Sequence, residues 1–535
     1  MKWFAKFVYA VFTLLFLFLI LSSQQQVQTP QKTTKVFLEH ADVWSFNELI
    51  DKDRQVLTGN VVFRHDSSFM YCDSAYLFEQ SNSLEAFGSV RMEQGDTLFL
   101  FGEYLYYDGN IRLAKIRYNV RMESIQSDSS TVTLFTDSLN YDRNEDIGYY
   151  FEGGMIVDQE NELTSIDGQY SPATKLAIFN HEVQLENPNF TLTSDTLHYY
   201  TESKIATILG PSVIVSDSST IYSSKGWYDT ENNTSLLLDR SQVVSGNRIL
   251  IGDSIVYDRD LGFGEAFGNI FLHDTLQHLI LTGHYGYYDE KTEFAFATDS
   301  ARCFEFSQGD TLYIHADTFK MFTVDSTARE LKGYHNVRFY RIDIQGVCDS
   351  IQYNTQDSVL CMYKNPVLWN EQYQLFGDTI KIFMNDSTVD YIHVIQYAFA
   401  IEELDSTYYN QLKGNDLKAW FEGEELRTIY INGNAETIYY PIDSEDGAKI
   451  GMNALQSSYL RCTLQENKIH SISAWGGEPQ GTLTPIPDLQ PDQKLLKGFY
   501  WYDYLRPVDK DDIFREAKMK TEDKPQRSNR FINRN

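Results

Sequence analysis

Apolar and polar residues alternate with a period of two along most of this chain. The stretch GDTLFLFGEYLYYD, from Gly95 to Asp108, shows the pattern, and related runs return as CDSAYLF, TDSLNYD, SDTLHYY, GDSIVYD, CDSIQYN and GDTIKIF. Residues two apart lie on the same face of a strand. Leu139/Tyr141, Leu197/Tyr199, Ile255/Tyr257, Ile351/Tyr353 and Ile380/Ile382 therefore build one recurring apolar face. Asp followed by Ser or Thr suits a strand entrance, where short polar side chains bond nearby backbone groups. Spacing of the helical kind is almost absent before the C-terminal tail.

The copies align on an acidic position held by Asp73, Glu103, Asp137, Asp167, Asp195, Asp253, Asp317, Asp349 and Asp378, with His284 at the same place and weaker copies at Lys225 and Asp416. The period is about 31 residues over about twelve copies, which marks a repeat architecture. A second signature lies between the first ones: TGNVVF, FGSVRM, YNVRM, FGNIFL and HNVRF, with looser forms GPSVIV and NPVLW. Gly and Asn there tolerate positive φ and predict a corner, followed by apolar pairs such as Val61/Phe63 and Val90/Met92. Each repeat reads as a strand, a polar turn, a second strand, a corner and a third short strand.

Composition supports an all-β reading, because 36 Tyr and 34 Phe favour strands. The 535 residues can bury a large core, and repetition lengthens a chain without adding domains. A net charge of −30 argues against sequence-independent nucleic-acid binding, which needs a basic face. Lys2 and Lys6 precede the apolar run Phe7 to Leu21, which suits a signal peptide, with an uncleaved membrane anchor as the rival. The cysteines, Cys72, Cys303, Cys348, Cys361 and Cys462, are odd in number and form no CxxC. Cys72 and Cys348 stand where other copies have small residues, so they read as small core groups.

The runs GNVVF, AFGSVRM and GDTLFLFGEYLYYD resemble the OstA-like family. That family includes the periplasmic lipopolysaccharide transport protein of the A type and the N-terminal domain of its outer-membrane partner. The chain looks like an elongated member of the Bacteroidetes type. The resemblance implies an elongated open β-jellyroll (β-taco) or solenoid of short antiparallel strands. It implies an apolar groove for lipid A acyl chains, whose shielding from water is worth about 0.8 kcal/mol per CH₂. The groove candidates are then Val61, Phe63, Val90, Met92, Leu139, Tyr141, Leu197, Tyr199, Ile255, Tyr257, Ile351, Tyr353, Ile380 and Ile382. Implied partners are lipopolysaccharide and other transport proteins joined by edge-strand pairing, with head-to-tail self-association, in the periplasm. The organisation expected is a signal peptide or anchor at 1–23, a linker at 24–35, repeats in two or more modules at 36–475, a Pro/Gly break and aromatic cap at 476–520, and a disordered tail at 521–535. The tail from Lys494 to Asn535 holds 11 Lys/Arg against 7 Asp/Glu, a net of +4. The chain lacks the run of long amphipathic strands that an outer-membrane barrel needs.

No catalytic, metal or cofactor signature emerges. HExxH, GxSxG and P-loop patterns are missing, and GFGEAFG (262–268) has the wrong spacing for a dinucleotide loop. DRNEDIG (142–148) resembles a calcium loop but places its Gly late and lacks the final Glu, so a solvated turn is expected. A non-enzymatic lipid carrier is the reading these observations favour. A structural or adhesive surface solenoid and a repeat-built carbohydrate enzyme are the alternatives.

Overall fold

The computed structural model describes residues 34–520, apart from 48–51, 277, 307–309, 325–327, 386–388, 424, 444–446 and 466–467. The apolar start and the tail 521–535 lie outside the described residues, and so does nearly all of the linker. What is described is all-β, with 36 strands and four single-turn 3-10 helices. The chain divides into two compact units, Met1–Ala177 and Ile178–Asn535. No helix among the described residues is long and apolar enough to cross a membrane.

In the first unit the strands are β1 (Phe37–His40), β2 (Val43–Phe46), β3 (Arg54–His65), β4 (Ser68–Phe78), β5 (Ser83–Gln94), β6 (Leu98–Asp108), β7 (Leu113–Ile125), β8 (Thr131–Asp142), β9 (Ile147–Tyr150), β10 (Gly154–Asp158), β11 (Asn161–Ser165) and β12 (Asp167–Ser171). Consecutive strands from β3 to β8 pair antiparallel. A repeat therefore holds two long strands, where the sequence had suggested three short ones.

The difference arises because each long strand bends in its middle. Between β4 and β5 the register runs to Tyr71↔Arg91 and resumes at Ser74↔Phe87. Gly88 and Ser89 bulge between those points with φ of 74° and 45°. Two residues facing fewer on the partner strand is the geometry of a β-bulge, which kinks and twists the strand. Asp73 fills the notch, accepting a hydrogen bond from Ser89 Oγ at 3.0 Å. Tyr118 and Asn119 repeat the device with φ of 65° and 49°, and the Asn119 side chain donates to Glu103. Upstream, Asn60 donates to Asp42 at 2.9 Å.

The two sequence signatures are thus the two halves of one bend, met across neighbouring strands. The acidic position marks this mid-strand bend and not a strand entrance. Asp96 and Thr97, which do stand in the turn before β6, belong to a different place in the repeat, and Glu103 is the bend residue there.

The second unit uses the same device. Its bends include Gly268–Asn269 (φ 70° and 43°) and His335–Asn336 (φ 61° and 53°). Asn269 donates to Asp253 at 2.7 Å, Asn336 to Asp317 at 2.8 Å, and Lys364 Nζ to Asp349 at 2.9 Å.

Each bend divides its strand into two arms. In β6, Tyr104–Asp108 pairs with 83–87 of β5 and 113–117 of β7, and is called here the A arm. Leu98–Gly102 pairs with 90–94 and 120–124, and forms the B arm. The A-arm ends stack loop on loop: Gly109 N donates to Asn82 O at 2.9 Å and Arg143 N to Arg112 O at 3.1 Å. Asn144, in the calcium-like stretch, donates to Ile111 O at 2.8 Å and its backbone N to Asp142 at 2.8 Å, so this stretch is turn chemistry.

After the last strand, Gln480–Pro485, the second unit ends in an irregular strap. It lies on the outer face of the B arms. Tyr502 and Leu505 are buried there with Val347, Trp369, Phe376 and Phe399. Gln374 accepts from Tyr502 N and donates to Tyr500 O, both at 2.8 Å. Arg338 donates to Leu505 O at 2.8 Å. The aromatic cluster foreseen as a cap over the last repeat therefore covers earlier repeats, and the strap runs back past His315, whose ring lies 4.8 Å from that of Phe514, to Arg302, which pairs with Asp511 at 3.7 Å.

Candidate functional site

Within each unit the A and B arms face each other across an apolar interior. In the first unit Leu139 and Tyr141 stand on the A arm, and Val61, Phe63, Val90 and Met92 on the B arm. All six are at most 2% exposed. A Cβ on Gly148, in β9 of the A-arm wall, would meet Met122 Sδ of the B arm at 3.1 Å and Leu139 Cδ1 of the A arm at 3.2 Å. The two walls are therefore in direct contact. The first signature had contributed one wall and the second the other, a relation that strand spacing alone does not reveal.

In the second unit Leu197, Tyr199, Ile255, Tyr257, Ile351, Ile380 and Ile382 are buried on the A arm. Tyr353, also on the A arm, is half-buried. The structure thus presents the candidate residues as a packed interior. An acyl chain reaches them only if the arms separate.

The interior has two margins of different strength. At the bend, the chain passes from one arm to the other through its own backbone, within one long strand or, as from β9 to β10, through a short link. Among the described residues the arms are joined at the opposite margin through side chains, some of them bonded to main-chain oxygens. There the fully buried His65, at the end of β3, has Nδ1 2.6 Å from Tyr107 Oη and Nε2 3.0 Å from Thr34 O. Arg143 donates to Tyr107 Oη at 2.6 Å, which leaves the tyrosine hydrogen for His65 Nδ1 and places the imidazole hydrogen on Nε2. Burial pushes the His65 pKa down, with Arg143 and Arg112 adding to the shift. Arg143 also donates to Gln94 Oε1 at 3.3 Å, and Arg112 pairs with Asp66 at 3.0 Å. Gln126 donates to Tyr170 Oη at 3.1 Å farther along.

The same margin in the second unit joins Arg248 to Tyr288 and, at 3.4 Å, to Asp274. Burial raises the Tyr257 pKa to about 12, so its hydroxyl stays protonated and available as a donor. These margin residues were not foreseen. Their signal was present in the sequence, since Arg112 and Arg143 follow each other by one repeat in successive A-arm loops.

Other chemistry is sparse. A hollow of ≈ 520 Å³ at the bend of the second unit is lined chiefly by hydroxyls, including Ser194, Ser212, Ser223 and Ser241, with Asp239 and Arg240. Among the described residues no group of three or more His, Cys, Asp or Glu side chains is placed to hold a metal ion. All five cysteines are buried free thiols, and burial pushes Cys72, Cys303 and Cys462 up to about 12. Such thiols are poor nucleophiles at neutral pH.

Comparison with known proteins bears on the first unit. The family model described as OstA-like protein matches residues 33–195, which takes in every strand of the first unit and the start of the second. No curated protein matches the chain.

Proposed function

We propose that this chain, OstA-like over residues 33–195, is a non-enzymatic carrier or bridge for lipopolysaccharide between two membranes. The observation that carries the reading is the asymmetry of the interior. In each unit two apolar walls are hinged by backbone on one side and joined through side-chain contacts on the other. Such a sleeve can admit acyl chains along its length and close again over itself. Each CH₂ moved from water into it contributes about 0.8 kcal/mol. The acidic body repels an anionic head group, and divalent cations or a head group kept outside the walls would have to offset that repulsion.

The partners in this reading are the other proteins of lipopolysaccharide transport, joined through unpaired strand edges. Residues Phe37, Val43, Trp44 and Phe46 of β1 and β2 are all more than half exposed at such an edge. The compartment in this reading is the periplasm.

Photo-crosslinking amino acids at Leu139, Tyr199 and Tyr257 test the proposal in cells. Lipopolysaccharide should be captured at all three. Crosslinks to protein alone would overturn it. Depletion of the protein should leave lipopolysaccharide at the inner membrane, whereas an adhesive solenoid would leave its distribution unchanged.

A further inference from the structure

The chain carries a net charge of −30, yet cations gather at the side-chain margin of its interior. Arg112 and Arg143 sit in loops stacked directly on one another, with Arg143 N bonded to Arg112 O. Both reach across from the A-arm ends to the B-arm ends, Arg112 to Asp66 and Arg143 to Gln94 and to the main-chain oxygen of His65 at 3.4 Å. In the second unit, Arg259 hydrogen-bonds Tyr228 and has a buried Nη1 with no acceptor.

We propose that this margin is the head-group site of an anionic amphiphile. The arms part here, the apolar tail enters between the walls, and the guanidinium groups of Arg112 and Arg143 take phosphate oxygens in place of their B-arm partners Asp66, Gln94 and His65. The inference rests on the lipid-carrier reading and adds to it where the head group lies.

The physics runs as a partner exchange. A guanidinium that loses its acceptors while half-buried is costly. Separating the arms would take from Arg143 its B-arm acceptors, which are a neutral amide, a neutral imidazole nitrogen and a peptide carbonyl, and leave it only Tyr107 on its own arm. A phosphate offers a charged, bidentate replacement, stronger than neutral acceptors. The head group thus stabilises the open margin while the tail is shielded inside. The bend margin offers no such route, because opening it would tear paired backbone.

Calorimetry with the full chain tests this, using dodecyl phosphate, dodecyl maltoside and inorganic phosphate below micelle-forming concentrations. Wild type should bind dodecyl phosphate at least tenfold more tightly than either of the others. R112Q and R143Q should each lose most of that preference, while R143K keeps part of it. Tyr107→Phe, which removes a competing acceptor, should tighten dodecyl phosphate binding about threefold, an effect that a merely structural role does not produce. Thermal melts confirm that each variant is folded.

Equal binding of the two amphiphiles, or an undiminished preference in R112Q and R143Q, overturns the head-group site and leaves the carrier reading standing. Inorganic phosphate binding as tightly as dodecyl phosphate makes this a free-anion site and overturns the proposal. Failure of both amphiphiles to bind overturns the carrier reading together with it. Weaker or unchanged binding by Tyr107→Phe overturns the exchange of partners.

Discussion

Gly88 shows how narrow the tolerance of a single position in the bend is. Its φ is +74°, and a Cβ would stand 2.5 Å from a carboxylate oxygen of Asp73. Gly88→Ala combines left-handed strain with a clash and should destabilise the first unit by about 1–2 kcal/mol. Denaturant unfolding checks this, and the double variant with Asp73→Ala should cost less than the sum of the two. Side-chain chemistry at the other margin makes a separate prediction about pH. The folded pKa of His65 lies below its ordinary value of 6.5. Above 6.5 both folded and unfolded states hold it neutral, and its full contribution to stability is present. As pH falls from there through the folded pKa, the unfolded chain binds the proton first and that contribution is lost. The groups facing His65 are Thr34, Tyr107, Arg143, Arg112 and Asp66; the Thr34 carbonyl and Asp66 favour the charged ring, but burial and the two arginines outweigh them. Asp66 itself is held down chiefly by its bond from Thr34, so it titrates at much lower pH. His198, His315 and His393 are shifted the same way. The expected signature is therefore a difference: His65→Gln should lose less stability than wild type between about pH 7 and pH 5. Parallel pH profiles would contradict it.

At the scale of elements, the all-β fold was legible because period-two alternation and aromatic richness admit few other readings. Leu139/Tyr141 and Val61/Phe63 were legible as apolar faces for the same reason. The number of strands per repeat was not. Asp73–Ser74 lies in a mid-strand bend and Asp96–Thr97 in a turn, yet both pairs are the same short acidic and hydroxyl residue types. Local chemistry cannot separate those two settings, and only the register of the neighbouring strand does. The strap was hidden for a related reason. Tyr502 bonds Gln374 across 128 positions, and an irregular segment has no periodicity to report which strands lie beneath it. Its energetic role is testable. Tyr502, Leu505 and Ile513 are all buried, at about 1.5–3 kcal/mol each. A chain ending at Pro485 should uncover Trp369, Phe376, Phe399 and Ile401. It should bind a hydrophobic dye and unfold earlier in denaturant than the full chain. Tyr502→Ala alone should cost about 3 kcal/mol. An unchanged midpoint in both variants would mean that the strap is a passenger.

Across the whole molecule, the proposed carrier role sets charge and apolar surface pulling a lipid in opposite directions. A net charge of −30 repels an anionic amphiphile over distances up to the Debye length, about 10 Å at 0.1 M salt and about 30 Å at 0.01 M. The attraction from the margin arginines acts only at contact, and apolar burial is indifferent to salt. Capture should therefore be limited by the approach, and release by the interior and the margin. Raising ionic strength from about 0.01 M to about 0.15 M should speed the association of dodecyl phosphate several-fold, while dodecyl maltoside should be unaffected. Stopped-flow measurement of both rates distinguishes the cases. A carrier whose acidic body discourages adhesion of stray anions but whose interior holds a delivered lipid needs loading by direct transfer, not capture from solution. Association that slows with salt would instead mean that the cationic margin governs the encounter. The acidic exterior would then have no part in selecting how the lipid arrives.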